Sequence, residues 1–110
     1  MIGRIQNRSA FSRVRAEGVH LRSGVLSCTM VLDPSLTGPL VGYALSRSYG
    51  NAVYRNRLRR QLRVLVNARE SQFRPGIYVF GASPRAKETP FATLEANLGS
   101  LLGKLSAVSA

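Results

Sequence analysis

Residues 51–69, NAVYRNRLRRQLRVLVNAR, carry the clearest helical period of the chain and its densest charge. Tyr54, Leu58, Leu62 and Leu65 recur at intervals of three and four, the spacing of one apolar helix face. At about 100° per residue, Arg55, Arg59 and Arg63 form an i, i+4, i+8 row on another face, with Asn56 and Arg60 beside it. One side of this helix is expected in a core and the other against something anionic.

The flanks assign the remaining elements. Before the helix, residues 25–32 (VLSCTMVL) and 40–46 (LVGYALS) have strand length and composition, and the turn-prone link PSLTGP between them suggests that they pair as a hairpin. Earlier still, residues 7–17 read as a short helix with Asn7 or Ser9 as its cap, Ala10, Phe11 and Val14 on one side, and Gly18 as its stop. After the central helix, Pro75-Gly76 turns into a strand over residues 77–83 (IYVFGAS). A terminal helix then begins at Thr89 and Pro90, with Phe91, Leu94, Leu98, Leu101, Leu102 and Leu105 on one face and a frayed tail over 106–110. Gly99 and Gly103 weaken that helix by roughly 1 kcal/mol each relative to alanine, so packing must hold it. The order predicts a single α+β domain over residues 1–110, a small sandwich of about three helices on one sheet.

Composition narrows the function. Sixteen Lys plus Arg against five Asp plus Glu give a formal charge of +11 in 110 residues, an excess that points to a polyanion partner. Between residues 34 and 69 there is no Asp or Glu, yet Arg47, Arg55, Arg57, Arg59, Arg60, Arg63 and Arg69 all lie there. An ordinary solvated helix face mixes signs, because like charges at i, i+4 cost a few tenths of a kcal/mol each. A guanidinium grips phosphate through paired hydrogen bonds and also stacks on bases, so RNA or DNA is the natural counterpart. Gly50-Asn51 ahead of the helix supplies a turn and a capping side chain.

Other classes find little support. No apolar run is long enough for a bilayer, and no signal-peptide stretch follows Arg4 and Arg8, so a cytoplasmic protein is expected. Cys28 is the sole cysteine and reads as a buried structural thiol; His20 is the sole histidine. Asp33 sits in an Asp33-Pro34 turn and is expected to fix it, and Glu17, Glu70, Glu88 and Glu95 lack ligand spacing. With no nucleophile, base and orienting acid in view, no hydrolytic site borne by the protein is expected.

Residues 45–63, LSRSYGNAVYRNRLRRQLR, resemble the signature of the bacterial ribonuclease P protein family, Gly-Asn-Ala-Val, one variable residue, then Arg-Asn-Arg. The likeness extends in order to residues 11–18 (first helix), 41–46, 77–82 (last strand) and 91–105 (final helix). It implies a mixed central sheet with an unusual left-handed βαβ crossover through the basic helix. It also implies a protein that assists a catalytic RNA subunit in removing the 5′ leader of precursor tRNA. In that family Mg2+ is held mainly by the RNA, none by the protein alone, and the protein is expected to be monomeric outside the ribonucleoprotein. Carried over residue by residue, Arg47, Asn51, Arg55, Asn56, Arg57, Arg59, Arg60 and Arg63 would bind RNA and help to place metal ions and substrate. Phe11, Arg15, Thr29, Tyr43 and Ser46 would line a leader groove between the first helix and the sheet, by aromatic stacking or by packing. Arg15 departs from the pattern, standing where many members carry a second aromatic, which substitutes charge or a cation–π contact. Arg47-Ser48 replaces a commoner basic pair, and the N-terminus is shorter and less basic than usual. A ribosomal or ribosome-associated RNA-binding protein with no role in cleavage would share the charge, but not the ordered motif.

Overall fold

The computed structural model describes residues 2–45 and 51–109. Five strands and three helices follow one another as β1 (Gly3–Arg4), α1 (Arg8–Glu17), β2 (Val19–Ser23), β3 (Leu26–Leu32), β4 (Pro39–Tyr43), α2 (Ala52–Ala68), β5 (Gly76–Ala82) and α3 (Phe91–Ser109). Short 3₁₀ turns at Glu70–Gln72 and Pro84–Glu88 flank β5. The strands form one mixed sheet in the order β1-β4-β5-β3-β2, with β1–β4 and β4–β5 parallel and the other pairs antiparallel.

Period-two alternation gives the sheet two covered faces. Leu26, Cys28 and Met30 of β3, Val41 of β4 and Tyr78 and Phe80 of β5 point to the side where α2 and α3 pack. Those helices contribute Leu58, Leu62, Leu65, Val66, Leu94, Leu98, Leu101, Leu102 and Leu105 to the same core. On the opposite face Ile77, with Val31, Leu40 and Val79 beside it, meets Ile5 and Val14, and α1 covers this smaller cluster. Truncating a fully buried leucine such as Leu62 to alanine would cost roughly 2–5 kcal/mol, so the main core dominates stability. Cys28 is fully buried within it, as expected of a structural thiol, and burial raises its pKa well above the usual thiol range.

The expected hairpin between residues 25–32 and 40–46 does not form. Strand β5 lies between β3 and β4, and Leu32 and Pro39 both pair with Gly76, one from each side. The link must therefore span two strand spacings, about 9.5 Å, which suits its six residues better than a tight turn would. Asp33 opens the link by accepting hydrogen bonds from the Ser35 amide and hydroxyl, and Arg13 of α1 clamps it at 2.7 Å. This is the turn-fixing role read from Asp33-Pro34. The hairpin that does form joins β2 to β3 through Gly24-Val25, with Gly24 at φ +59° as a two-residue turn with glycine first requires. Asn97 of α3 accepts the Val25 amide, and Lys104 donates to the Arg22 carbonyl, which ties this hairpin to α3.

Two helix-start readings also change. Thr89 does not cap α3, because its hydroxyl donates to the Arg85 carbonyl and closes the preceding 3₁₀ turn. Phe91, placed by periodicity on the apolar face, is instead 43% exposed at the first turn. The tail expected to fray is helical through Ser109, and Ala110 lies outside the described residues.

Candidate nucleic-acid interface

Helix α2 begins where Asn51 accepts the Tyr54 amide at 3.2 Å, a side-chain cap that satisfies one of the orphan amides of the first turn. Leu58, Leu62, Leu65 and Val66 go to the core as the period requires. Tyr54, read with them, does not: it is 45% exposed, and Lys87 lies 5.6 Å over its ring. Asn56, Arg57, Arg60 and Arg63 are exposed, whereas Arg55 and Arg59 are half-buried. Arg59 donates to Asn56 at 2.8 Å, which holds its guanidinium along the helix. Arg47 and Ser46, together with Gly50, lie outside the described residues.

The row of cations borders a cleft of about 410 Å³ at the β1–β4 edge of the sheet. Its walls come from three directions: Arg59, Arg63 and Asn67 from α2, residues 2–5 and 41–43 from the strand edge, and Phe11 from α1. Phe11 reaches it because Gly42 has no side chain; a Cβ there would stand 3.0 Å from the Phe11 ring and 2.9 Å from Ile5. Tyr43 stacks on Phe80 with ring centroids 6.2 Å apart, so it points to the α2 side of the sheet. Burial pushes its hydroxyl up to about 12, against the opposing pull of the nearby Arg63 cation. Tyr43 is therefore neutral at physiological pH and offers the cleft a hydroxyl and a ring edge.

The proposed groove residues thus divide. Phe11 and Tyr43 come together with Arg59 and Arg63, while Arg15 and Thr29 lie outside this cleft. Arg15 is exposed in the last turn of α1. Thr29 sits under the end of that helix, its methyl 2.6 Å from where a Cβ on Gly18 would be, and its hydroxyl is 2.7 Å from His20 Nδ1. Asn67 and the β1 edge were missed by sequence reasoning. For Asn67 a signal existed, since it continues the Arg59, Arg63 row by another four residues; a two-residue strand offers none.

The cleft can hold a strand of nucleic acid, with phosphates at the guanidiniums and a base against Phe11, which is 36% exposed. It does not suit a cation. Among the described residues no three His, Cys, Asp or Glu side chains gather as metal ligands, and Asp33 is engaged by Ser35 and Arg13. No helix among the described residues is long and apolar enough to cross a membrane.

Comparison with known proteins bears on the family and the fold. The sequence model of the family described as Ribonuclease P matches residues 3–106. The chain is 38% identical to the ribonuclease P protein component of Streptomyces griseus over 93 residues, which covers 79% of this chain and 71% of that protein. In fold it is similar to the RNase P protein of Staphylococcus aureus, with a TM-score of 0.85 at 20% identity, covering 93% of this chain and 94% of the other. It is also similar to that of Thermotoga maritima, with a TM-score of 0.82 at 21% identity, covering 92% and 96%.

Proposed function

This chain belongs to the ribonuclease P protein family, and from that premise we propose that it is the RNA-binding subunit of a ribonucleoprotein endonuclease that matures the 5′ end of tRNA. The observation that carries the reading is the cleft in which Phe11 and Tyr43 face Arg59 and Arg63. A single-stranded leader lies there, with phosphates against the guanidiniums and one base on Phe11. Arg55, Asn56, Arg57 and Arg60, on the outward parts of α2, dock the catalytic RNA, with Asn51 supporting the helix start. Arg47 is assigned to RNA binding and Ser46 to the leader groove by the family resemblance alone, as are Arg15 of α1 and Thr29 of β3 to that groove.

Two RNA strands brought side by side repel each other, and a row of cations between them removes part of that cost. The protein thereby lets leader and catalytic RNA approach with fewer bound Mg2+ ions. Hydrolysis is left to the RNA, which would hold the Mg2+ ions; bound there, they would supply Lewis acidity and an activated water. Among the described residues no cluster of His, Cys, Asp or Glu gathers as metal ligands, and the contribution of Arg59 and Arg63 is to position phosphates. Outside the ribonucleoprotein the protein is a monomer on this reading. No observation favours a ribosomal protein without a role in cleavage.

The test is reconstitution with the ribonuclease P RNA of the same organism and a precursor tRNA. Added protein should allow cleavage at a Mg2+ concentration where the RNA alone is nearly inactive, and protein alone should cleave nothing. Failure to lower the Mg2+ requirement would exclude the reading.

A further inference from the structure

Helix α2 has two lateral edges, and the cleft uses one of them. Projected at about 100° per residue, Arg59 and Arg63 lie on one side of the outward-facing Arg60, and Arg57, Gln61 and Val64 on the other. That second edge faces the start of α3. There Arg57, Arg60, Gln61 and Val64 surround Phe91 in an open recess of about 350 Å³. Val64 is 61% exposed and Phe91 43%, which leaves two apolar side chains in water between two guanidiniums. The same surface continues through Arg57 and Gln61 to Tyr54 and Lys87.

We propose that this recess binds an unpaired base of the RNA subunit, stacked on the Phe91 ring, with Arg57 and Arg60 on the adjoining phosphates. The inference rests on the RNA-binding reading of α2 and adds a second contact on its opposite edge. Charge complementarity selects the occupant: only cationic, amide and apolar side chains line the recess, and none is acidic. A ring half open to solvent with cations on its rim matches the stacking surfaces that hold single-stranded nucleic acid. A protein helix or strand would need a longer apolar stripe than Val64 and Phe91 offer. Helix α2 therefore acts as a two-sided wedge, with the leader on the Arg59–Arg63 edge and an unpaired nucleotide of the catalytic RNA on the Arg57–Phe91 edge.

The chain has no tryptophan, so Phe91→Trp places a single fluorescent reporter in the recess. With the full chain and the ribonuclease P RNA, the indole emission of that variant should be quenched on binding while affinity is retained. Phe91→Ala should weaken binding about tenfold with no change in salt slope, because a stack releases no counterions. Val64→Asp, at a surface position, should also weaken binding, and it keeps the test open if Phe91→Ala unfolds. Unquenched indole emission with wild-type affinity of Phe91→Ala, while Arg59→Ala still lowers the salt slope, would overturn the inference and leave the RNA-binding reading standing. A concentration-dependent emission change without RNA would assign the recess to a second copy of the chain and also overturn it. Absence of RNA binding by the wild-type chain would remove both.

Discussion

Arg59 combines helix position, a fixed rotamer and a share in the cleft wall, which is why its loss should be specific. Replacing Arg59 or Arg63 with alanine should weaken binding to the RNA and reduce the slope of log K against log salt by roughly 0.7 to 0.9 for each phosphate no longer neutralised. Titration at several salt concentrations reads this directly, and an unchanged slope would mean that the residue is merely solvated. Asp33 gives a residue-scale test of the fold. The Ser35 hydroxyl and the Arg13 guanidinium lower its carboxyl to about 2, from the roughly 3.9 of an unfolded chain. Because the folded value is the lower one, the stabilisation is complete above about pH 4 and is lost as pH falls towards 2. Between those pH values the urea midpoint should fall more for the wild type than for Asp33→Asn, in which the group no longer titrates.

At the scale of elements, α2 was legible because its period runs through seventeen residues and its charges never change sign. Strand β2 was not: VHLRS has an exposed first pair and only half-buried alternates, as an edge strand does. The pairing of β3 and β4 with β5 could not be read locally, since two strands joined by a short link need not be neighbours. The cleft was half visible for the same reason. Arg59 and Arg63 could be counted among the cations, but which edge of α2 borders the cleft with Phe11 and which faces the start of α3 depends on the assembled sheet. Tyr54 and Phe91 fit the apolar periods of their helices and yet stand at the ends, where the core has already closed. Helix α3 offers a stability test at this scale. Nothing lies within 4 Å of a Cβ built on Gly103, so Gly103→Ala should stabilise the protein by about 0.5–1 kcal/mol in thermal or urea unfolding. A loss of stability there would mean that the last turns of α3 pack more tightly than this geometry indicates.

For the whole molecule, the charge of +11 is distributed by the fold rather than spread evenly. One sheet sets α1 on one face and α2 with α3 on the other, and the β1–β4 edge brings Phe11 round to Arg59 and Arg63. On the proposed reading, that convergence turns a general affinity for polyanions into a site for a single strand beside a folded RNA. The measurement that bears on it most directly is the affinity of the reconstituted ribonucleoprotein for precursor tRNA with its leader, compared with mature tRNA without one. The protein should create a preference for the precursor, and Phe11→Ala combined with Arg59→Ala should remove most of it while the RNA subunit stays bound. Equal affinity for the two tRNAs in the presence of the wild-type protein, or a preference untouched by the double substitution, would contradict the leader cleft.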